Sequence, residues 1–122
     1  MKKAYFFLLF GFLFNISFSQ ESDCDKFKIG LFRYTYKEFP DIIVTRTETT
    51  QTETSYESTE VVEGTLVWKS NCTYHFVFTK CPTPELLGKK MFVKIFDVKG
   101  NNAKGKGSVE GFQIDFNMEK LE

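Results

Sequence analysis

The chain has 122 residues, with 16 basic side chains, 16 acidic ones and a single histidine. That length holds one small domain behind a leader, and a balanced charge offers no basic field for nucleic acid or anionic lipid. Hydrophobic residues make up 42% and aromatic ones 17%, which supplies a core and argues against disorder.

Residues 1–20 read MKKAYFFLLFGFLFNISFSQ. Lys2 and Lys3 form a positive n-region, Tyr5 to Phe14 an apolar stretch too short to span a bilayer, and Ser17 and Ser19 the small residues a signal peptidase needs. Cleavage is expected after Ser19, leaving residues 20–122 as one exported domain, periplasmic or extracellular, with no stable membrane insertion. Losing Lys2 and Lys3 and no acid leaves 14 basic against 16 acidic residues. Cys24 follows Glu21-Ser22-Asp23, too acidic for a lipoprotein box.

From there, period-two alternation predicts strands nearly throughout. The first runs from about Phe27 to Tyr36, the next two from Ile42 to Thr47 and from Gln51 to Tyr56. Seven of the fifteen residues from Thr45 to Thr59 are Thr, a β-branched strand former, with Arg46, Glu48, Glu53 and Glu57 for solubility. Three readings stand for this stretch. It is a polar hairpin on the solvated side; or the alternation from Ile42 and Val44 turns Arg46 inward, where Arg46 and Gln51 would hold a ligand carboxylate; or Arg46 pairs with Glu53.

Further along, Val62, Leu66 and Trp68 alternate with Glu63, Thr65 and Lys69, with Gly64 on the apolar side. Tyr74, Phe76 and Phe78 alternate with His75, Val77 and Thr79. Thr83 to Gly88 allows one helical turn at most. Met91, Val93 and Ile95 oppose Phe92 and Phe96, so both faces of that strand read as apolar. Lys99 to Asn102 and Gly105 to Gly107 carry turn chemistry, as do Glu38 to Asp41 and Lys69 to Asn71. Phe112, Ile114, Phe116 and Met118 close the series.

Short turns between sequential strands make antiparallel neighbours and hence a meander. The expected fold is all-β, a small up-and-down barrel of about eight strands, closed or nearly closed and lipocalin- or calycin-like. A two-sheet sandwich would need a long crossover, and none is present.

Three cysteines allow one disulfide and one free thiol in an exported chain. Cys72 and Cys81 bracket a strand of eight residues, Thr73 to Lys80, too long for the ~7 Å Cα limit of a bridge. Cys24 is therefore one partner. Cys72 is the favoured other, because the turn Lys69 to Asn71 can hold it against the N-terminal segment, leaving Cys81 free. The cysteines and His75 lack the close spacing of zinc ligands, so no metal is expected.

Chemistry is otherwise absent from the pattern. His75 sits within a strand, and Ser108 lies in no nucleophile elbow. Cys81 has only Lys80 as a positive neighbour. Gly100 to Gly107 lacks the ending of a phosphate loop. Asn71-Cys72-Thr73 matches a glycosylation acceptor that would matter only in eukaryotic secretion, whereas the leader is bacterial in type. No enzyme and no cofactor are expected.

Cys24, the run Phe27 to Tyr34, Ile43 to Arg46 with Gln51 to Glu53, Val67-Trp68 with Cys72 to Tyr74, and the strand Gly88 to Ile95 form a spaced pattern. It resembles a family of short exported proteins of Bacteroidota that often carry the name "DNA topoisomerase IV". An exported, acidic chain of this size contradicts that name. The resemblance implies a lipocalin-like barrel and no activity.

The function expected is a binding module for a hydrophobic or amphipathic small molecule, with Trp68, Phe76 and Phe78 lining an apolar cavity and Arg46 and Gln51 at its polar end. The alternative is a solid-core envelope protein acting through surface contacts with another protein. Interior volume discriminates the two.

Overall fold

A computed structural model describes residues 22–122. The expected leader, residues 1–19, lies outside the described residues. Eight strands follow in sequence: β1 (Gly30–Thr35), β2 (Ile42–Arg46), β3 (Thr50–Ser55), β4 (Val61–Trp68), β5 (Thr73–Lys80), β6 (Lys90–Lys99), β7 (Asn102–Val109) and β8 (Phe112–Lys120). Each pairs antiparallel with the next. β1 closes the ring against β8, with Phe32 opposite Val44 on one side and Lys120 on the other. The expected up-and-down barrel is the fold.

Alternation decides the interior. Phe32 and Tyr34, Val44 and Arg46, Leu66, Tyr74 with Phe76 and Phe78, Val93 and Ile95, and Phe116 and Met118 are all buried. Their strand neighbours at odd offsets are half-buried or exposed. Burial of this much aromatic surface is the main force holding so small a barrel.

Three details depart from the expectations. The first strand starts at Gly30, not Phe27, because Ser22–Phe27 forms a 3-10 turn that folds across one end of the barrel. Gly30, at φ +144°, makes the break between the two; side chains rarely adopt that conformation.

The stretch read as a turn at Gly105 to Gly107 is instead the middle of β7. Ala103, Gly105, Gly107 and Val109 point inward and Lys104 and Lys106 outward. The apolar half of the alternation is written in the smallest residues, so it looked like turn chemistry. The reason is close packing: a Cβ on Gly105 would enter the Phe116 ring, and one on Gly64 the Phe76 ring. Large rings on one strand require bare backbone on the next.

The second apolar face of β6 is not covered. Phe92 is 52% exposed and meets the edge of the His75 ring at 4.4 Å between centroids.

Candidate functional site

The two ends of the barrel differ. At the end where β1 begins, the 3-10 turn acts as a plug. Phe27 is fully buried beneath it and stacks on Phe32 at 5.9 Å. Cys24 is bonded to Cys72, with their Cα atoms 5.4 Å apart, and Cys81 is free, the pairing expected from the turn Lys69 to Asn71. Lys120 Nζ donates to the carbonyl oxygens of Lys26 and Ile29 at 2.7 and 3.0 Å, tying the plug to β8.

Arg46 lies inside, 1% exposed, directly under the plug. Its position follows from register: Arg46 and Gln51 are opposite each other across the β2–β3 hairpin, on the inward side. Thr47 forms the hairpin turn, its Oγ1 accepting from the backbone N–H groups of Thr49 and Thr50. Every guanidinium nitrogen donates. Nε reaches Gln51 Oε1 at 3.0 Å, Nη1 the Phe27 carbonyl, and Nη2 the hydroxyls of Tyr34 and Tyr74. The Phe32 ring packs against the guanidinium, with its centroid 4.7 Å away. Burial works against the charge on Arg46, but Tyr34, Tyr74 and Glu53 outweigh it, so the group is held more firmly protonated than an ordinary arginine. Burial also pushes the Tyr34 hydroxyl well above the usual phenol range.

Above this layer the interior opens into a cavity of about 380 Å³ at the opposite end. Tyr34, Gln51, Tyr74, Val93 and Phe116 form its floor. Phe76, Phe78, Met91 and Ile114 form the walls, and Tyr36, Val109, Phe112 and Leu86 stand nearer the rim. Leu86 comes from the short 3-10 turn Pro84–Leu86 between β5 and β6, the single helical turn expected there. That volume falls within the range of small-molecule sites.

Of the five expected ligand contacts, Gln51, Phe76 and Phe78 line the cavity. Arg46 and Trp68 do not. Arg46 is sealed below the floor. Trp68 ends β4 on the plug side, half-buried against Tyr74 at 4.7 Å and beneath Lys28, whose Nζ is 4.9 Å from its ring. Its indole N–H is buried without an acceptor. The carboxyls that line the cavity are Glu53, two residues beyond Gln51 on β3, and the exposed Glu110 in the turn between β7 and β8, which pairs with Lys89 at 3.5 Å. Gln51 Nε2 donates to Glu53 Oε2 at 2.7 Å. Burial pushes the Glu53 carboxyl above the usual carboxylate range, against the opposing pull of Gln51 and Arg46.

From sequence, Glu53 is either a solubilising charge or the direct partner of Arg46, and the structure puts Gln51 between the two. The signal that finds it is the same alternation that turns Arg46 inward, since Glu53 stands opposite Val44 in the hairpin. The tyrosines were hidden for another reason: nothing in sequence shows that Tyr34 and Tyr74, from strands far apart in the chain, meet with their hydroxyls 3.5 Å apart.

Among the described residues, no group of three or more His, Cys, Asp or Glu stands close enough to hold a metal ion, and no helix is long and apolar enough to cross a membrane. Comparison of the chain with protein-family models, curated proteins and solved structures finds no match in any of the three.

Proposed function

We propose that this protein is a non-catalytic binding module that takes a hydrophobic or amphipathic small molecule into the open end of its barrel, and that it works outside the cytoplasm. The observation carrying this reading is the cavity of about 380 Å³, lined by Phe76, Phe78 and Phe116 and given one polar side by Gln51 and Glu53. A protein with no such role gains nothing from leaving this volume unfilled, because filling it would add apolar contacts. Export is supported by the leader pattern of residues 1–19 and by the Cys24–Cys72 bridge, a bond kept in oxidising compartments.

The test is titration with N-phenyl-1-naphthylamine, an uncharged apolar probe whose fluorescence rises when it leaves water. One saturable site is expected in the purified protein, lost on filling the cavity with Ile114→Trp. Absence of saturable binding would remove the reading.

The alternative, an envelope protein acting through its surface, has its own supporting feature. Val67, His75 and Phe92 are register partners on β4, β5 and β6 and form a row across the outer wall. Val67 is 54% exposed and Phe92 52%. That row would remain available to a protein partner whether or not the cavity is occupied.

A further inference from the structure

We propose that the cavity selects an apolar molecule bearing a protonated amine, held by Glu53, over the matching carboxylate. This deepens the binding reading and rests on it. An arginine inside a barrel invites the opposite assignment, a fatty-acid headgroup on Arg46, and the geometry removes that option. Each guanidinium nitrogen already donates to Gln51, to the Phe27 carbonyl or to a tyrosine hydroxyl, and the group is 1% exposed beneath the cavity floor. A carboxylate entering from the open end would meet Glu110, whose carboxylate already holds Lys89 at 3.5 Å, and then the Glu53 carboxyl and the tyrosine rings.

What the cavity offers is an acceptor. Gln51 holds Glu53 by Oε2, and none of the described residues donates to Oε1. A ligand ammonium supplies that missing donor and forms a charge-assisted hydrogen bond. The walls suit a cation as well. Tyr34, Tyr36, Tyr74, Phe76 and Phe116 line the same space, and aromatic faces attract ammonium groups when water is excluded. Around Glu53 the titratable groups are Tyr34 and Tyr36 from β1, Arg46 from β2 by way of Gln51, and Tyr74 from β5, and the same cavity is lined by Glu110 from the turn between β7 and β8, which pairs with Lys89 at 3.5 Å. None of these adds a free positive charge to the cavity, because Arg46 is committed to its four partners and Lys89 to Glu110.

The test is displacement of N-phenyl-1-naphthylamine at pH 8 by three ligands of one chain length: decylamine, 1-decanol and decanoate. Decylamine is expected to displace the probe at about tenfold lower concentration than decanoate, the scale of one charge-assisted hydrogen bond, with decanol between them. In Glu53→Gln the preference for decylamine over decanoate should disappear. Decanoate displacing as well as decylamine would overturn the inference and leave the cavity reading standing, as would an unchanged preference in Glu53→Gln. Failure of both probe and decylamine to bind, the latter checked by calorimetry, would overturn both. The three-ligand comparison needs only the unaltered protein, so a misfolded variant does not protect the proposal.

Discussion

Arg46 and Glu53, opposite charges within one barrel, make no direct ion pair; Gln51 stands between them. It accepts from Arg46 Nε at 3.0 Å and donates to Glu53 Oε2 at 2.7 Å. The three follow from a hairpin whose inward positions are Val44 and Arg46 on β2 and Gln51 and Glu53 on β3. Gln51 is suited to the middle because an amide carries an acceptor and two donors. The bridge divides the barrel. On the Arg46 side the interior is filled by Phe27, Phe32 and the guanidinium; on the Glu53 side it is hollow.

Replacing the cation should destabilise the protein far more than it affects ligand binding. Arg46→Met leaves the Phe27 carbonyl and the Tyr34 and Tyr74 hydroxyls short of a donor in a dry interior, a loss of about 3 kcal/mol. Arg46→Lys should recover only part of it, because an ammonium lacks the planar fork that reaches four acceptors. Urea unfolding measures both. A loss below about 1 kcal/mol for Arg46→Met would mean that the network is not holding the plug end.

Glu53→Gln should stabilise the protein at neutral pH. The carboxyl's folded pKa lies above its unfolded value, so burying the charged form opposes folding at pH above that folded value. The penalty fades as pH falls and is gone once the unfolded carboxyl is also protonated. Thermal unfolding should therefore show a higher Tm for Glu53→Gln at pH 8 and coincident curves near pH 3. A variant less stable than the parent at pH 8 would show that the carboxylate is not held at a cost.

Breaking the Cys24–Cys72 bridge by Cys24→Ser with Cys72→Ser should cost roughly 2–4 kcal/mol, for a closed loop with a sequence separation of 48. Phe27 should become more exposed with it, because the bridge holds the plug. Non-reducing peptide mapping should return Cys24 joined to Cys72 and a free Cys81. A peptide linking Cys24 to Cys81 would contradict the pairing.

Gly105→Val should destabilise by about 1–3 kcal/mol, since the new side chain must share space with the Phe116 ring. The adjacent Lys104→Val removes an exposed outer side chain and its surface ion pair with Asp97, and should stay within about 0.5 kcal/mol. Equal effects at the two positions would argue that β7 does not present its glycines inward.

Alternation in the sequence by itself determined the class of fold and most inward residues, because a strand's period of two is local and survives without neighbours, and the short turns determined the meander order. Alternation also offered an inward Arg46 beside Gln51 as one of three readings of that stretch, and strand length excluded a bridge between Cys72 and Cys81. Alternation failed where the inward residues were small. Gly105 and Gly107 become core positions only when Phe116 and Met91 arrive from other strands to fill the space above them. Which interior charge faces the cavity was likewise beyond the sequence. Arg46 and Glu53 both point inward by the same rule, and only the plug, laid over one end by Cys24 and Phe27, decides that the arginine is sealed and the carboxylate left facing the opening. That choice depends on contacts between segments distant in the chain, which no local pattern records.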